Sequence, residues 1–340
     1  MKIAIHHRIG SFSDEWIAYC QRHNIEYKLV NAYESDIISQ LEDCDAFMWH
    51  HSHSDYRDNI FAKSLMFSLK LIGKKTIPTV YSDWAFDDKL AEKYALEAVG
   101  APIINTTIFY DKCSALSWAE KATYPKVFKT RCGAGSSNVR LIKNCAQAKS
   151  IIKQAFSSKG IPNQDYKNLL KMSLKNILQG KNDFYKLFRN TLLSICPSLS
   201  RENRHLTPNE KGYVMFQDYI ENDGYDIRVI VIGDKAFAIK RLCRDGDFRA
   251  SGSGKIQYSK NLFDTSLIKQ SFELSKKLKA NIINFDFIID KQGNAKICEM
   301  NYGFAKKGYL PCEGYWDANL EWHEGSNFDF CGWMVELLLK

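Results

Sequence analysis

Apolar positions in the first hundred residues switch repeatedly between two periods. KIAI, EYKLV, DAFMWH and TIPTVYS are apolar-rich runs of strand length. Between them, residues 14–23 (with Trp16, Ile17 and Cys20), 36–42, 59–71 and 89–99 carry apolar side chains at helical intervals, and Gly100 follows the last of these. Strands alternating with helices predict a small parallel α/β domain over residues 1–100. Ligands in such sheets gather beyond the carboxyl ends of the strands, which places His6, His7, His50, His51 and His53 along a cleft.

From about Thr107 the pattern changes. A helical stretch at 114–121 is followed by KVFKT, a glycine- and serine-rich turn, NVRLI and a helix from Ala146. Two strands across a short glycine loop predict an antiparallel hairpin. Beyond Gly212 come VMFQDYI, DIRVIVI and KAFAIKRL, a helix at 266–279, and INFDFIID–KQGN–AKICEMNY, a second antiparallel sheet with its own helix. The expected organisation is a small α/β domain at 1–100, a central α+β lobe at 101–220 and a C-terminal α+β lobe at 221–340. The central lobe carries an insertion at about 157–212, with two helical stretches at 169–178 and 185–195 and lysines interleaved.

A length of 340 residues suits two or three domains, and 45% apolar with 25% charged residues is ordinary for folded cores. No apolar run approaches the ~20 residues of a spanning helix. MKIAIHHRIG is too short and too polar after Ile5 for a signal peptide. Ten cysteines without a CxxC pair predict reduced thiols and a cytoplasmic protein. The net charge of +8 is local: residues 158–212 hold ten Lys/Arg against four Asp/Glu, a net of +6. That excludes a chain basic throughout, as a nucleic-acid coat would be, and marks a basic patch. The patch reads either as the solvated face of a packed helical subdomain or as a surface for an anionic partner: an acidic glycan, a lipid-linked pyrophosphate or the inner membrane leaflet.

Three constellations carry candidate chemistry. Glu299 and Asn301, two apart on a strand, project to one side, and the turn at 290–293 folds the earlier strand back to bring Asp286 beside them. Two carboxylates and an amide are oxygen ligands of the kind Mg²⁺ takes; an exposed polar hairpin edge is the plainer reading. Lys129 precedes the loop Gly133, Ala134, Gly135, Ser136, Ser137, whose N–H and hydroxyl donors suit phosphates, although no Gly-Lys-Ser/Thr follows as in a P-loop and an ordinary hairpin turn would look the same. Arg228, Arg241 and Arg249 lie on or between strands, where bidentate capture of phosphate or carboxylate is favoured, with Asp226 and Asp247 placed to orient them; surface salt bridges are the alternative. The HHSHS run raises a zinc site at His50, His51 and His53 without a clear fourth ligand; a substrate-contacting or solvated cluster competes with it.

The order of these segments, in particular DIRVIVIGDKAFAIKRLCRDGDFRASGSG and FDFIIDKQGNAKICEMN, resembles the ATP-grasp superfamily, nearest the branch of the ribosomal-protein glutamate ligase, over about residues 85–308 outside the insertion. The resemblance implies an ATP-grasp fold, two α+β lobes gripping ATP after a small parallel α/β domain. It implies ATP and two magnesium ions, with manganese as a substitute, and a ligase joining a carboxylate to an amine through an acyl-phosphate. By resemblance, Lys89 and Lys129 bind the nucleotide, Gly133, Gly135, Ser136 and Ser137 cover its phosphates, and Gln217, Asp218, Tyr219 and Ile220 meet adenine. Arg228, Arg241 and Arg249 serve the phosphates, acyl-phosphate and substrate, and Asp286, Glu299 and Asn301 hold the metal. Departures lie on the substrate side: Ala250-Ser251-Gly252 follow the DFR arginine, and Tyr302-Gly303-Phe304 follow the metal asparagine. The ASGSG run and CEGYWD tail resemble chains of cell-surface polysaccharide assembly. A kinase that phosphorylates a stable acceptor, or a nucleotide-binding module without turnover, would use the same nucleotide residues.

Overall fold

In the computed structural model, which describes residues 1–133, 138–162, 170, 173–174, 177–178, 184–196, 207–244, 247–250 and 253–340, the first strands form as the alternation requires. β1 (Lys2–His6), β2 (Glu26–Val30), β3 (Ala46–Trp49) and β4 (Lys75–Ile77) make a parallel sheet in the order β2-β1-β3-β4. Ala4, Phe47 and Trp49 face one side, against Ala62, Met66 and Leu69 of α3 (Tyr56–Leu71). Ile3, Ile5, Ala46 and Met48 face the other, against Phe12, Trp16, Tyr19 and Cys20 of α1 (Phe12–Arg22). Ser11 caps α1 by accepting from Ser13 N. The short helix α2 (Ile37–Gln40) precedes β3.

TIPTVYS does not continue as a strand. β4 stops at Ile77 because Pro78 has no N–H for the ladder, and Thr79 caps the short helix α4 (Val80–Asp83) by accepting from Ser82 N.

The chain divides into two compact units. One gathers Met1–His51, Asn59–Ile104 and Ile220–Lys340; the other gathers Ser52–Asp58 and Asn105–Tyr219. In the first, α5 (Lys89–Ala98) follows the parallel sheet, and an antiparallel sheet runs β13-β12-β9-β10-β14-β15, with β11 (Ile256–Gln257) paired to β10. Its strands are β9 (Tyr225–Ile232), β10 (Lys235–Leu242), β12 (Ile282–Ile289), β13 (Ala295–Asn301), β14 (Gly314–Asp317) and β15 (Trp322–Glu324). Ile227, Val229, Val231, Phe285 and Phe287 point to α9 (Thr265–Lys277), burying Leu267, Ile268 and Leu274. From the opposite face, Ile230, Ile232, Phe237, Ile239 and Ile282 join the core that α1 and α10 (Phe330–Leu339) share with the parallel sheet. The N-terminal α/β segment and the C-terminal sheet thus have one core.

The second unit is built on an antiparallel sheet in the order β5-β8-β6-β7: β5 (Thr106–Phe109), β6 (Lys126–Lys129), β7 (Arg140–Ile142) and β8 (Val214–Asp218). Helices α6 (Lys112–Lys121) and α7 (Cys145–Ala155) cover it through Ala115, Ala119, Ala148 and Ile152, packed on Phe128 and Phe216. The β6–β7 hairpin forms as expected, with Phe128 opposite Arg140. In the insertion, α8 (Phe184–Ile195) realises the second expected helix. Half of the first, at 169–178, lies outside the described residues.

Candidate active site

Alternation along three neighbouring strands sets a row of charges on one face of the first unit's sheet. β9 and β10 pair Asp226 with Arg241, and β9 and β12 pair Arg228 with Asp286. Directly opposed residues share a face within about 5.5 Å at Cβ. Arg228 grips Asp286 bidentately, Nε to Oδ1 at 2.5 Å and Nη2 to Oδ2 at 2.6 Å. Arg241 donates to both Asp226 oxygens at 2.7 and 2.6 Å and to Asp286 Oδ2 at 2.7 Å. Tyr309 Oη accepts from Arg228 Nη1 at 3.4 Å.

All four charged groups are largely out of water, and their titration follows partner number. Burial alone would raise both carboxyls. For Asp226, facing Arg241 alone, burial prevails and the pKa is raised. For Asp286, clamped by Arg228 and Arg241, the two guanidiniums overcome burial and hold it well below the usual range. The same carboxylates offset desolvation of Arg228 and Arg241 and keep both firmly charged.

The strand bearing Glu299 and Asn301 is the edge strand β13, and its register is not uniform. Asn301 pairs Asn284 and Glu299 pairs Asp286, but Ile297 pairs Phe287, so Cys298 is an extra residue in a β-bulge. Strict alternation would put Ile297 on the same face as Glu299. The bulge instead sends Ile297 and Met300 into the apolar core while Glu299 and Asn301 stay on the face of Asp286. An edge strand also leaves a row of backbone groups to be satisfied. Here Pro102 O accepts from Ile297 N, Ile297 O accepts from Ile104 N, and Glu92 Oε2 accepts from Met300 N at 3.1 Å. Lys89, one turn before Glu92 on α5 and also buried, puts Nζ 3.5 Å from Glu299 Oε1. Helix α5 therefore holds β13 twice, through Glu299 and through the amide between Glu299 and Asn301.

This donor set fits a hard divalent ion. Asp286, Glu299 and Asn301 offer oxygens, and the buried Asn284 Oδ1 on the same face has no hydrogen-bond donor among the described residues, as an acceptor awaiting a cation or water would. Asp286 would have to share its oxygens with the guanidiniums, which a carboxylate's several lone pairs permit.

Arg249 pairs locally and bidentately with Asp247, Nε to Oδ1 at 2.9 Å and Nη2 to Oδ2 at 2.7 Å. In the second unit, Lys129 is buried at the end of β6, and Gly133 has φ of 135°. Gly135, Ser136 and Ser137 lie outside the described residues. Gln217 Nε2 donates to Thr106 Oγ1, and Asp218 accepts from Lys126 and Asn105. The chain passes between the units after Tyr219, and Ile220 O accepts from Asn222 Nδ2. Two of the histidines weighed for zinc are held by separate partners. His50 Nδ1 accepts from Phe12 N at 3.0 Å while its ring stacks on Phe12; His51 Nδ1 sits 2.9 Å from the buried Asp83.

Sequence reasoning did not single out Glu92, Asn284 or Tyr309. The first two had faint signals: Glu92 stands three residues after Lys89 on a helix, and Asn284 two before Asp286 on a strand. Tyr309 meets Arg228 only through tertiary packing.

Residues 199–310 match the model of the RimK-like ATP-grasp domain. Among curated proteins, none matches the chain in sequence. Solved structures are similar in fold. A RimK-domain ATP-grasp protein from Sphaerobacter thermophilus has TM-score 0.58 at 13% identity, covering 100% of both chains. The biotin carboxylase domain of Hydrogenobacter thermophilus 2-oxoglutarate carboxylase, in complex with MgADP and bicarbonate, has TM-score 0.60 at 14% identity, covering 99% of this chain and 69% of that one. D-alanine–D-alanine ligase from Bacillus anthracis has TM-score 0.50 at 15% identity, covering 89% and 86%. A parallel N-terminal sheet and two antiparallel sheets, together with these structural likenesses, give the chain an ATP-grasp fold, within which residues 199–310 match the RimK-like ATP-grasp domain.

Proposed function

We propose that this protein is an ATP-dependent carboxylate–amine ligase. The γ-phosphoryl group of ATP passes to a substrate carboxylate, ADP leaves, and an acyl-phosphate results. An amine then attacks the acyl carbon, the C–O bond to phosphate breaks, and an amide and inorganic phosphate are released, the amine's proton going to solvent. The observation that carries this reading is the shared face of β9, β10, β12 and β13, where two guanidiniums grip Asp286 and where Glu299 and Asn301 lie on the same face as Asp286. Such a face serves phosphoryl transfer because fixed positive donors and oxygen ligands meet the charge that develops on the transferred group.

Arg228 and Arg241 stabilise that charge from rigid strands, needing no rearrangement at the moment of transfer. Asp226 and Tyr309 keep the two guanidiniums oriented. Magnesium, when bound, would be held by Asp286, Glu299 and Asn301 and would neutralise phosphate oxygens. Lys129, the loop at 133–137 and the segment 217–220 are assigned to the nucleotide, Lys89 to its phosphates and to Glu299, and Arg249 to the substrate. The MgADP in the carboxylase-domain structure and the fold shared with a D-alanine–D-alanine ligase support the choice of ATP, magnesium and a ligase reaction. The acid is a small molecule or a glycan carboxylate of cell-surface polysaccharide assembly.

The test is ADP release screened against amino acids and uronic-acid sugars in pairs, followed by ¹⁸O labelling of the carboxylate. A ligase delivers one labelled oxygen to inorganic phosphate. A stable phosphorylated acceptor without that label would make the protein a kinase. Nucleotide binding without turnover on any pair would make it a binding module.

A further inference from the structure

Helix α8 shows solvent the side that helices in folded domains hide. Phe184, Tyr185, Phe188, Leu192 and Ile195 are 64%, 78%, 65%, 41% and 77% exposed. At about 100° per residue these five fall within one sector about 100° wide. The opposite side holds the helix to its unit: Leu193 is buried there, and Asn190 Nδ2 donates to Ser173 Oγ at 3.2 Å. Single exposed apolar residues are ordinary, but five in register on a 12-residue helix form a patch. Arg189 flanks the stripe and Lys186 lies beyond it, both exposed, within the segment of net charge +6.

We propose that α8 seats this protein on an anionic lipid surface, lying in the interface with its aromatic stripe among the acyl chains and its basic flank at the headgroups. Apolar insertion and charge attraction together are what surface-lying helices use. At 12 residues α8 lies on a bilayer and does not cross it, and no described helix is long and apolar enough to span. Charge decides against a second copy as the occupant, since pairing the stripes would set one +6 segment against another. The proposal stands apart from the ligase reading, because it concerns where the chain sits and not what it joins.

The full chain is floated with vesicles of phosphatidylcholine alone and of equal parts phosphatidylcholine and phosphatidylglycerol. The expected result is binding at least about tenfold stronger to the anionic vesicles, weakening as salt rises. Phe184→Ser with Phe188→Ser loses that binding. So does Lys186→Glu with Arg189→Glu, which keeps the apolar stripe and carries the test if the serine variant misfolds. Both variants keep ADP release with any substrate pair that the parent turns over. Absence of vesicle binding, equal binding to both vesicles, or a self-association in sedimentation that the serine variant abolishes would each overturn the proposal. So would capture by soluble poly-glutamate in preference to vesicles, which would make the surface a site for acidic protein.

Discussion

Replacing Arg241 with methionine removes one of two positive charges from a buried group of four. Three charge-assisted bonds of 2.6–2.7 Å disappear, two to Asp226 and one to Asp286. Asp286 keeps Arg228, but Asp226 is left in the interior without its cation. Breaking a buried pair from one side costs about 3–5 kcal/mol, most of it the stranded partner. Removing both members, as in Asp226→Asn with Arg241→Met, should return stability to within about 1 kcal/mol of the parent. A two-unit chain need not unfold in one step, so the measurement is hydrogen-exchange protection of β9 and β10 amides, compared among parent, single and double variants.

The pH dependence has a definite sign. Asp226 already has a folded pKa above its unfolded value because of burial, so the folded state binds more protons in that window and stability falls as pH rises through it. Loss of Arg241 extends the window upward. The Arg241→Met penalty should therefore shrink as pH is lowered from about 8 to about 5, as Asp226 takes up a proton. A penalty that stays flat over that range, or that Asp226→Asn leaves untouched, refutes the stranded-charge account.

Glu299→Gln should abolish magnesium-dependent ADP release while lowering the thermal unfolding temperature less than Arg241→Met does, since Glu299 is partly exposed and the amide oxygen can still accept from the buried Lys89 Nζ, 3.5 Å from Glu299 in the parent; normal turnover would remove Glu299 from the candidate ligand set. Glu92→Leu should weaken Mn²⁺ binding in the presence of a non-hydrolysable ATP analogue by about 10–100-fold, read by electron paramagnetic resonance, while Glu92→Gln, which keeps an acceptor for Met300 N, should retain most of it; equal loss in both would point to a general structural role. Gly332→Ala should destabilise the junction of α1 and α10 by about 1–3 kcal/mol, because its Cβ would lie 2.5 Å from the Tyr19 ring and 2.8 Å from Asp329 Oδ2; Tyr19→Ala in the same background should relieve part of the cost in urea unfolding.

Element type was legible along most of the chain because it rests on local period. The alternation of KIAI and DIRVIVI, the helical spacing of Trp16 and Cys20, and the turn residues of KQGN each settle their segment from neighbours a few positions away. TIPTVYS failed because its apolar content fits a strand while Pro78 and Thr79 stop one and cap a helix. Asp286, Glu299 and Asn301 could be grouped from sequence, since a hairpin with a short turn brings its own strands together. That Glu299 and Asn301 share a face follows from spacing two; that Ile297 does not share it depends on the bulge at Cys298, which no period announces.

By itself, then, the sequence determined the succession of elements, the hairpin bearing the three candidate oxygen ligands, the arginines on strands and the local concentration of positive charge. Only the tertiary structure decided which charges meet: that Asp286 faces two guanidiniums and Asp226 one, that Glu92 and Lys89 hold the edge strand, and that the apolar side of α8 faces solvent. The physical reason is range. Period and turn chemistry act over a few residues, whereas a buried charge takes its partner, and a helix face its burial, from segments distant in the chain that only the packed fold brings together.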